Sequence, residues 1–249
     1  MPIDLNCDLG EGAPHDAELM PLVSSANIAC GAHAGDEETM RRTIALALRH
    51  GVAIGAHPGY ADRENFGRTE QNLPPVAVGE LVRGQLLALQ RLAAEQGAGL
   101  THVKPHGALY NQAARDPALA DAIAAAVAGV DPSLVLFGLA GSHSLAAAEA
   151  RGLATAAEVF ADRTYRPDGS LTPRTQTGAL INDAAAACAQ VLRLARDGLV
   201  RTTDGRDIPL RADTVCLHGD GPHAVAFARR LRDALASAGI EVRAARGRP

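Results

Sequence analysis

The sequence predicts a parallel α/β barrel of seven or eight strand–helix units, and three observations carry that prediction. Short apolar runs alternate with helical segments at a spacing of about 30–40 residues, the length of a right-handed parallel crossover. The chain has 249 residues, close to the ~250 of a single β/α barrel. A polar residue able to do chemistry follows nearly every apolar run: Asp8, His33, His57, His106, Ser142, Asp162 and His218. A parallel sheet gathers its strand C-termini on one face, so these side chains are expected to meet at one barrel mouth. A doubly wound open sheet would place its ligand at one switch point, whereas here chemistry follows strand after strand. No break in composition divides the chain, and one domain over residues 1–249 is expected.

The elements follow in order. Residues 3–9 read as the first strand, with Asp4, Asn6 and Asp8 alternating against apolar neighbours. Asp16 is expected to cap a short helix to residue 23. Residues 26–30 form an apolar second strand. A helix starts at Asp36, carries Glu37 and Glu38 in its first turn, and stops at Gly51. Residues 52–56 are the third strand. Residues 58–75 are polar and marked by Gly and Pro, the character of an active-site loop. A helix over 75–96 ends at Gly97, and residues 101–103 form a strand leading into KPHG. A helix over 113–127 is expected to break near Pro117. Residues 134–139 are a strand, followed by AGSHS and a helix to Arg151. A short strand covers 158–161, and a second long loop runs over 162–178. Asp183 caps a helix to Asp197, residues 214–217 are the last core strand, and a helix covers 222–238. Residues 240–243 read as an eighth strand or a tail.

Composition narrows the function. Hydrophobic residues make up 47% and charged residues 21%, ordinary for a globular protein. Aromatics are only 3% and Trp is absent, so the core is built from aliphatic side chains. A net charge of −4 without a basic stripe argues against nucleic acid. The four cysteines form no CxxC pair and read as buried thiols of a reducing compartment. The N-terminus lacks the pattern of a signal peptide. No run reaches the ~18 apolar residues of a membrane span, so a cytoplasmic protein is expected. Among 24 cationic side chains only one, Lys104, is lysine. Lysine and arginine differ in geometry and in how readily their pKa shifts, which draws attention to Lys104.

The motifs point to acid–base chemistry. NCDLGEG sets Asp8 and Glu11 around a glycine turn, where two carboxylates can share a proton or a cation. In ACGAHAGD, Asp36 reads as a helix cap, Cys30 as a buried thiol and His33 as a site residue. His33, His57 and Asp8 could form a metal site, although no local spacing supports it. In HVKPHGALYN, His102 and Lys104 share a strand face. His106 can move protons near neutral pH, and Lys104 can hold an anion or pair with a carboxylate inside the barrel. The FGLAGSH turn can bind anions through backbone N–H groups. The only lysine precedes proline, so the chain carries no P-loop. The expected acid–base set is Asp8, Glu11, His57, Lys104 and His106. The expected substrate contacts are His33, Asn111, Arg163, Arg174, His218 and Asp220, the arginines suiting a carboxylate or phosphate.

The ordered blocks NCDLGEG, NIACGAHAGD, GAHPGYADRENFGR, HVKPHGALYN, EVFADRTY, PRTQTGALI and CLHGDG resemble the LamB/YcsF family, from Ile3 to Ile240. Cys7 and Ala32 depart from the alanine and phenylalanine more usual there. The resemblance implies a seven-stranded, TIM-like β/α barrel of the glycoside hydrolase/deacetylase type. It implies opening of the 5-oxoproline (pyroglutamate) lactam to glutamate with ATP, and its Mg2+, as co-substrate, together with 5-oxoprolinase subunits B and C. On that basis Lys104 and an arginine hold anionic groups. Asp8 or His106 activates water, and His33, His57 and His218 complete the site or bind a cation. The rival expectations are a stand-alone metal-dependent amidase or deacetylase and a non-catalytic substrate-binding subunit.

Overall fold

Seven parallel strands close a barrel in the computed structural model, which describes residues 2–217, 219, 221 and 223–246. The first six, in barrel order, are β1 (Asp4–Leu9), β2 (Ser25–Ala29), β3 (Ala53–His57), β4 (His102–Val103), β5 (Val135–Leu139) and β6 (Thr155–Phe160). After β6 the chain makes an antiparallel hairpin, β7 (Leu199–Arg201) and β8 (Asp207–Pro209), outside the barrel. It then returns as β9 (Thr214–Leu217), which pairs with both β6 and β1 and closes the ring. The helices are α1 (Asp16–Leu19), α2 (Glu37–His50), α3 (Pro75–Ala94), α4 (Gly107–Arg115), α5 (Pro117–Val130), α6 (His143–Ala150), α7 (Ala184–Asp197) and α8 (Ala224–Ser237).

Alternation along each strand sorts side chains into two layers. Leu5, Ile28, Ile54, Val103, Leu136, Val159 and Val215 pack with helix residues such as Leu86, Ile123, Val191 and Leu231 in one continuous outer core. The opposite strand faces point inward. There Val135, Phe137 and Ala156 form one small apolar cluster, and Tyr110, Phe160 and Cys216 another. The rest of the interior is polar, and it leads to the site.

Local chemistry explains most element ends. Asp36 accepts a hydrogen bond from Thr39 N at 2.7 Å and starts α2, and Gly51 at φ 65° stops it. Asp183 caps α7 in the same way. Asp16, expected to be a cap, instead accepts from Gly10 N at 2.8 Å and holds the turn after β1. The helix expected over 113–127 is two helices. Asp116 is extended, its carboxylate accepts from Ala118 N and Leu119 N, and Pro117 opens α5. The strand expected over 158–161 is three residues longer at its start and ends one residue earlier. Residues 240–243 form a tail with a single bridge, Ile3 to Val242. No helix among the described residues is long and apolar enough to cross a membrane.

Candidate active site

A column of hydrogen-bonded polar side chains climbs the inside of the barrel. At the bottom Asp4 accepts from Ser24, Ser25 and Thr214. One layer up, Asn6 donates to Glu158 Oε1 at 2.9 Å, Asn27 donates to Asn6, and His102 Nε2 lies 2.8 Å from Asn27 Oδ1. These contacts join β1 to β6 and β2 to β4, strands that are not neighbours, so they cross the barrel. His102 passes over β3 because residue 55 is glycine: a Cβ there would stand 2.1 Å from His102 Nε2. Above this layer Lys104 Nζ donates to Asp8 Oδ1 at 3.0 Å and pairs with Glu158 Oε1 at 2.9 Å. Every one of these buried groups has a partner, which burial of polar atoms requires.

At the mouth stand Asp8, Glu11, His33, His57 and His106. His57 Nδ1 is 2.7 Å from the Lys104 carbonyl, and His106 Nε2 is 2.8 Å from the Phe66 carbonyl. A carbonyl only accepts, so each of these two nitrogens carries a hydrogen. The opposite ring nitrogens, His57 Nε2 and His106 Nδ1, face each other at 2.9 Å. Glu11 Oε1 lies 3.0 Å from His33 Nε2, 3.2 Å from His106 Nδ1 and 3.7 Å from His57 Nε2. Asp8 Oδ2 is 3.4 Å from His57 Nε2. One donor atom from each of Glu11, His33, His57 and His106 lies within 4.8 Å of the others, so these are the side chains that could hold a metal ion. Of the expected trio, His33 and His57 belong to this group and Asp8 does not, while His106 and Glu11 join it.

The loop after β3 builds this corner. Gln85 of α3 clamps Gly59 through both amide groups. Phe66 is held at φ 56°, the only described non-glycine residue with positive φ, and its carbonyl meets His106. Gly59 and Gly67 let the rings approach: a Cβ on Gly59 would be 2.7 Å from His33 Nδ1, and one on Gly67 2.8 Å from His33 Cβ.

Electrostatics fix the charge pattern. Burial alone would raise Asp8, but the His57 and Lys104 charges hold it well below the usual carboxylate range. Burial also opposes ionisation of Glu11, yet hydrogen bonds from His106 and His33 bring it to about 2. Burial lowers His33 to about 4, so it is neutral near pH 7. Burial disfavours a charged His57, but Asp8 outweighs it and raises the pKa. Lys104 stays cationic because the Asp8 and Glu158 carboxylates overcome its burial. Burial drives Cys30 up to about 12 and Cys216 well above its usual value, so both are inert thiols.

The other expected site residues lie on the loop after β6, on α4 or outside the described residues. Arg163 is buried, donates to the Thr172 carbonyl at 2.6 Å, and leaves Nε without a partner. Arg174 is exposed on the same loop. Asn111 is exposed on α4 and donates to the Gly107 carbonyl one turn back. His218 and Asp220 lie outside the described residues. Sequence reasoning misses Glu158, Asn6, Asn27 and Gln85 as parts of the site.

A model of the LamB/YcsF family matches residues 3–248. The chain belongs to the LamB/YcsF family. Among curated relatives of this LamB/YcsF chain, a protein of Erwinia tasmaniensis named as the A subunit of 5-oxoprolinase is 57% identical over 242 residues, covering 97% of this chain and 99% of its own. One of the same name from Brevibacillus brevis is 54% identical over 247 residues, 97% of each chain. The crystal structure of a lactam utilization protein from Thermus thermophilus superposes with a TM-score of 0.94 at 44% identity, over 98% of this chain and 100% of that one. A putative cellobiose-phosphate cleavage protein of Enterococcus faecalis, 12% identical with a TM-score of 0.58 over 98% and 97% of the two chains, shares the fold alone.

Proposed function

We propose that this chain is the A subunit of an ATP-dependent 5-oxoprolinase and that its barrel mouth takes part in opening the 5-oxo-L-proline lactam to L-glutamate. The observation that carries this reading is the full-length likeness, at 54–57% identity, to relatives named as the A subunit of 5-oxoprolinase. Those names imply companion subunits, which the reading takes as B and C.

The chemistry suits the site. A five-membered lactam is a stable amide whose ring closure is entropically favoured, so its hydrolysis needs a coupled reaction. Phosphorylation of the amide oxygen by ATP would open C5 to water. That transfer releases ADP; water then adds to C5, the C5–N bond breaks as the nitrogen takes a proton, and a second water hydrolyses the resulting γ-glutamyl phosphate to glutamate and phosphate. Glu11 and the facing nitrogens of His57 and His106 sit where a water could be held and activated. Lys104 fixes Asp8 and offsets two buried carboxylates, so it is not a phosphate-binding lysine of the P-loop kind. Arg163, with its buried, unpartnered Nε, suits the substrate carboxylate.

The test is reconstitution with B and C subunits, measuring glutamate and ADP together. The reading expects both products, in step, only when all three subunits, ATP and Mg2+ are present. Glutamate formed by this chain without ATP would favour a stand-alone amidase, the second reading, which the carboxylate–histidine cluster makes chemically sensible. No glutamate from the complete mixture would remove both.

A further inference from the structure

We propose that His57 Nε2, His106 Nδ1 and Glu11 Oε1 form a three-ligand site for a divalent first-row transition metal, and that His33 positions Glu11 without binding the ion.

Hydrogen positions decide which atoms can bind. The Lys104 and Phe66 carbonyls fix the protons of His57 and His106 on the nitrogens away from the site. With their inner nitrogens deprotonated, as metal binding requires, the two rings point lone pairs at each other across 2.9 Å, with the Glu11 carboxylate beside them. Three acceptors that converge in this way need a cation among them, a proton or a metal ion, and a metal ion satisfies all three at once. Metal-binding histidines typically donate their other N–H to a carbonyl or carboxylate, as both rings do here. The triangle of donor atoms has edges of 2.9, 3.2 and 3.7 Å. Two ligand atoms on a tetrahedral ion with bonds of about 2.0–2.1 Å lie about 3.3 Å apart, within that span.

Ring orientation separates the ligands from the bystander. His57 and His106 are nearly perpendicular at 88°, so one ion can lie in both ring planes. His33 is stacked on His106 with centroids 3.8 Å apart and planes within 2°. One ion cannot occupy two parallel planes, and His33 has no carbonyl fixing its tautomer: its Nδ1 is buried without a partner. The strained Phe66 and the close glycines 59 and 67 hold the cluster against relaxation. Two imidazoles and one carboxylate favour zinc-class ions over magnesium or calcium. Three protein ligands leave a position open, and such a site supplies Lewis-acid chemistry. Metal binding here stands on geometry alone and does not depend on the substrate being a lactam.

The test uses the full chain stripped with a chelator and titrated with Co2+. The wild type should take up about one Co2+ per chain with visible ligand-field bands, released by Zn2+ and not by excess Mg2+. His57→Gln, His106→Gln and Glu11→Gln should bind about tenfold or more weakly with altered bands. His33→Gln should keep the wild-type bands. X-ray absorption of the loaded wild type should count two imidazoles, a readout that holds even if a variant fails to fold. A wild type that binds no stoichiometric ion, a count of three imidazoles, or bands lost in His33→Gln and kept in His106→Gln would overturn the proposal.

Discussion

Lys104 and Glu158 form an ion pair at 2.9 Å inside the barrel, where the Glu158 side chain has no solvent exposure. Removing one member of a buried pair leaves the other charge without compensation, at a cost of about 3–5 kcal/mol. Lys104→Met is therefore expected to lose stability on that scale in denaturant unfolding. Lys104→Met with Glu158→Gln should recover part of the loss, because the amide is neutral and can still accept from Asn6. A single variant as stable as the wild type would mean that the pair does not hold the interior together.

Gly55 is expected to tolerate no side chain. A Cβ at this position would meet His102 Nε2 at 2.1 Å, and His102 is fixed between Thr101 and Asn27. Overpacking of this kind costs about 1–3 kcal/mol or more. Gly55→Ala should lower the midpoint of thermal unfolding by several degrees, and an unchanged midpoint would show that His102 can move aside.

Much of this arrangement was legible in the sequence, for identifiable reasons. The period-two polar pattern of Asp4, Asn6 and Asp8 marks an inward strand face, and the structure bears it out. His57 and His106 were legible because each sits at a strand exit. Glu158 was not: in the run TAAEVF it resembles the first residue of a short strand, whereas β6 begins at Thr155 and carries Glu158 inward. The stacking of His33 on His106 joins residues 73 positions apart, and no spacing rule reports it. The hairpin β7–β8 escaped because its two strands are only three residues each, too short to show a period. Gln85 sits on a helix that reads as ordinary packing, and its clamp on Gly59 depends on tertiary position.

Stability should fall with acid through His102. Burial lowers its pKa from 6.5 to about 3. The unfolded chain then takes up a proton below pH 6.5 that the folded chain refuses until about pH 3. Its contribution is full above pH 6.5 and is lost as pH falls toward 3, at up to roughly 1.4 kcal/mol per pH unit. Asp4 acts oppositely: burial raises it to about 6, so the folded state gains stability as pH falls from 6 to 3.8. His102→Gln should have a shallower acid loss than the wild type, and Asp4→Asn a steeper one, in unfolding curves between pH 4 and pH 6.5. Parallel curves for all three proteins would contradict both assignments.

Arg163 should act on substrate affinity. Its guanidinium is buried with Nε unpartnered, and burial lowers its pKa. Arg163→Gln in the three-subunit enzyme is expected to raise KM for 5-oxoproline about tenfold, the scale of one lost charge-assisted hydrogen bond, with a smaller change in kcat. An unchanged KM would place the substrate carboxylate elsewhere.

The most direct measurement is glutamate formation from 5-oxoproline and ATP by the assembled three-subunit complex carrying Glu11→Gln or His57→Gln in this chain, with assembly and folding checked on the same sample. If the barrel mouth performs the lactam step, glutamate formation falls by about a hundredfold or more, the scale for loss of a group that activates the attacking water, while the complex stays intact. Glutamate formed at the wild-type rate by both variants would place the chemistry outside this barrel.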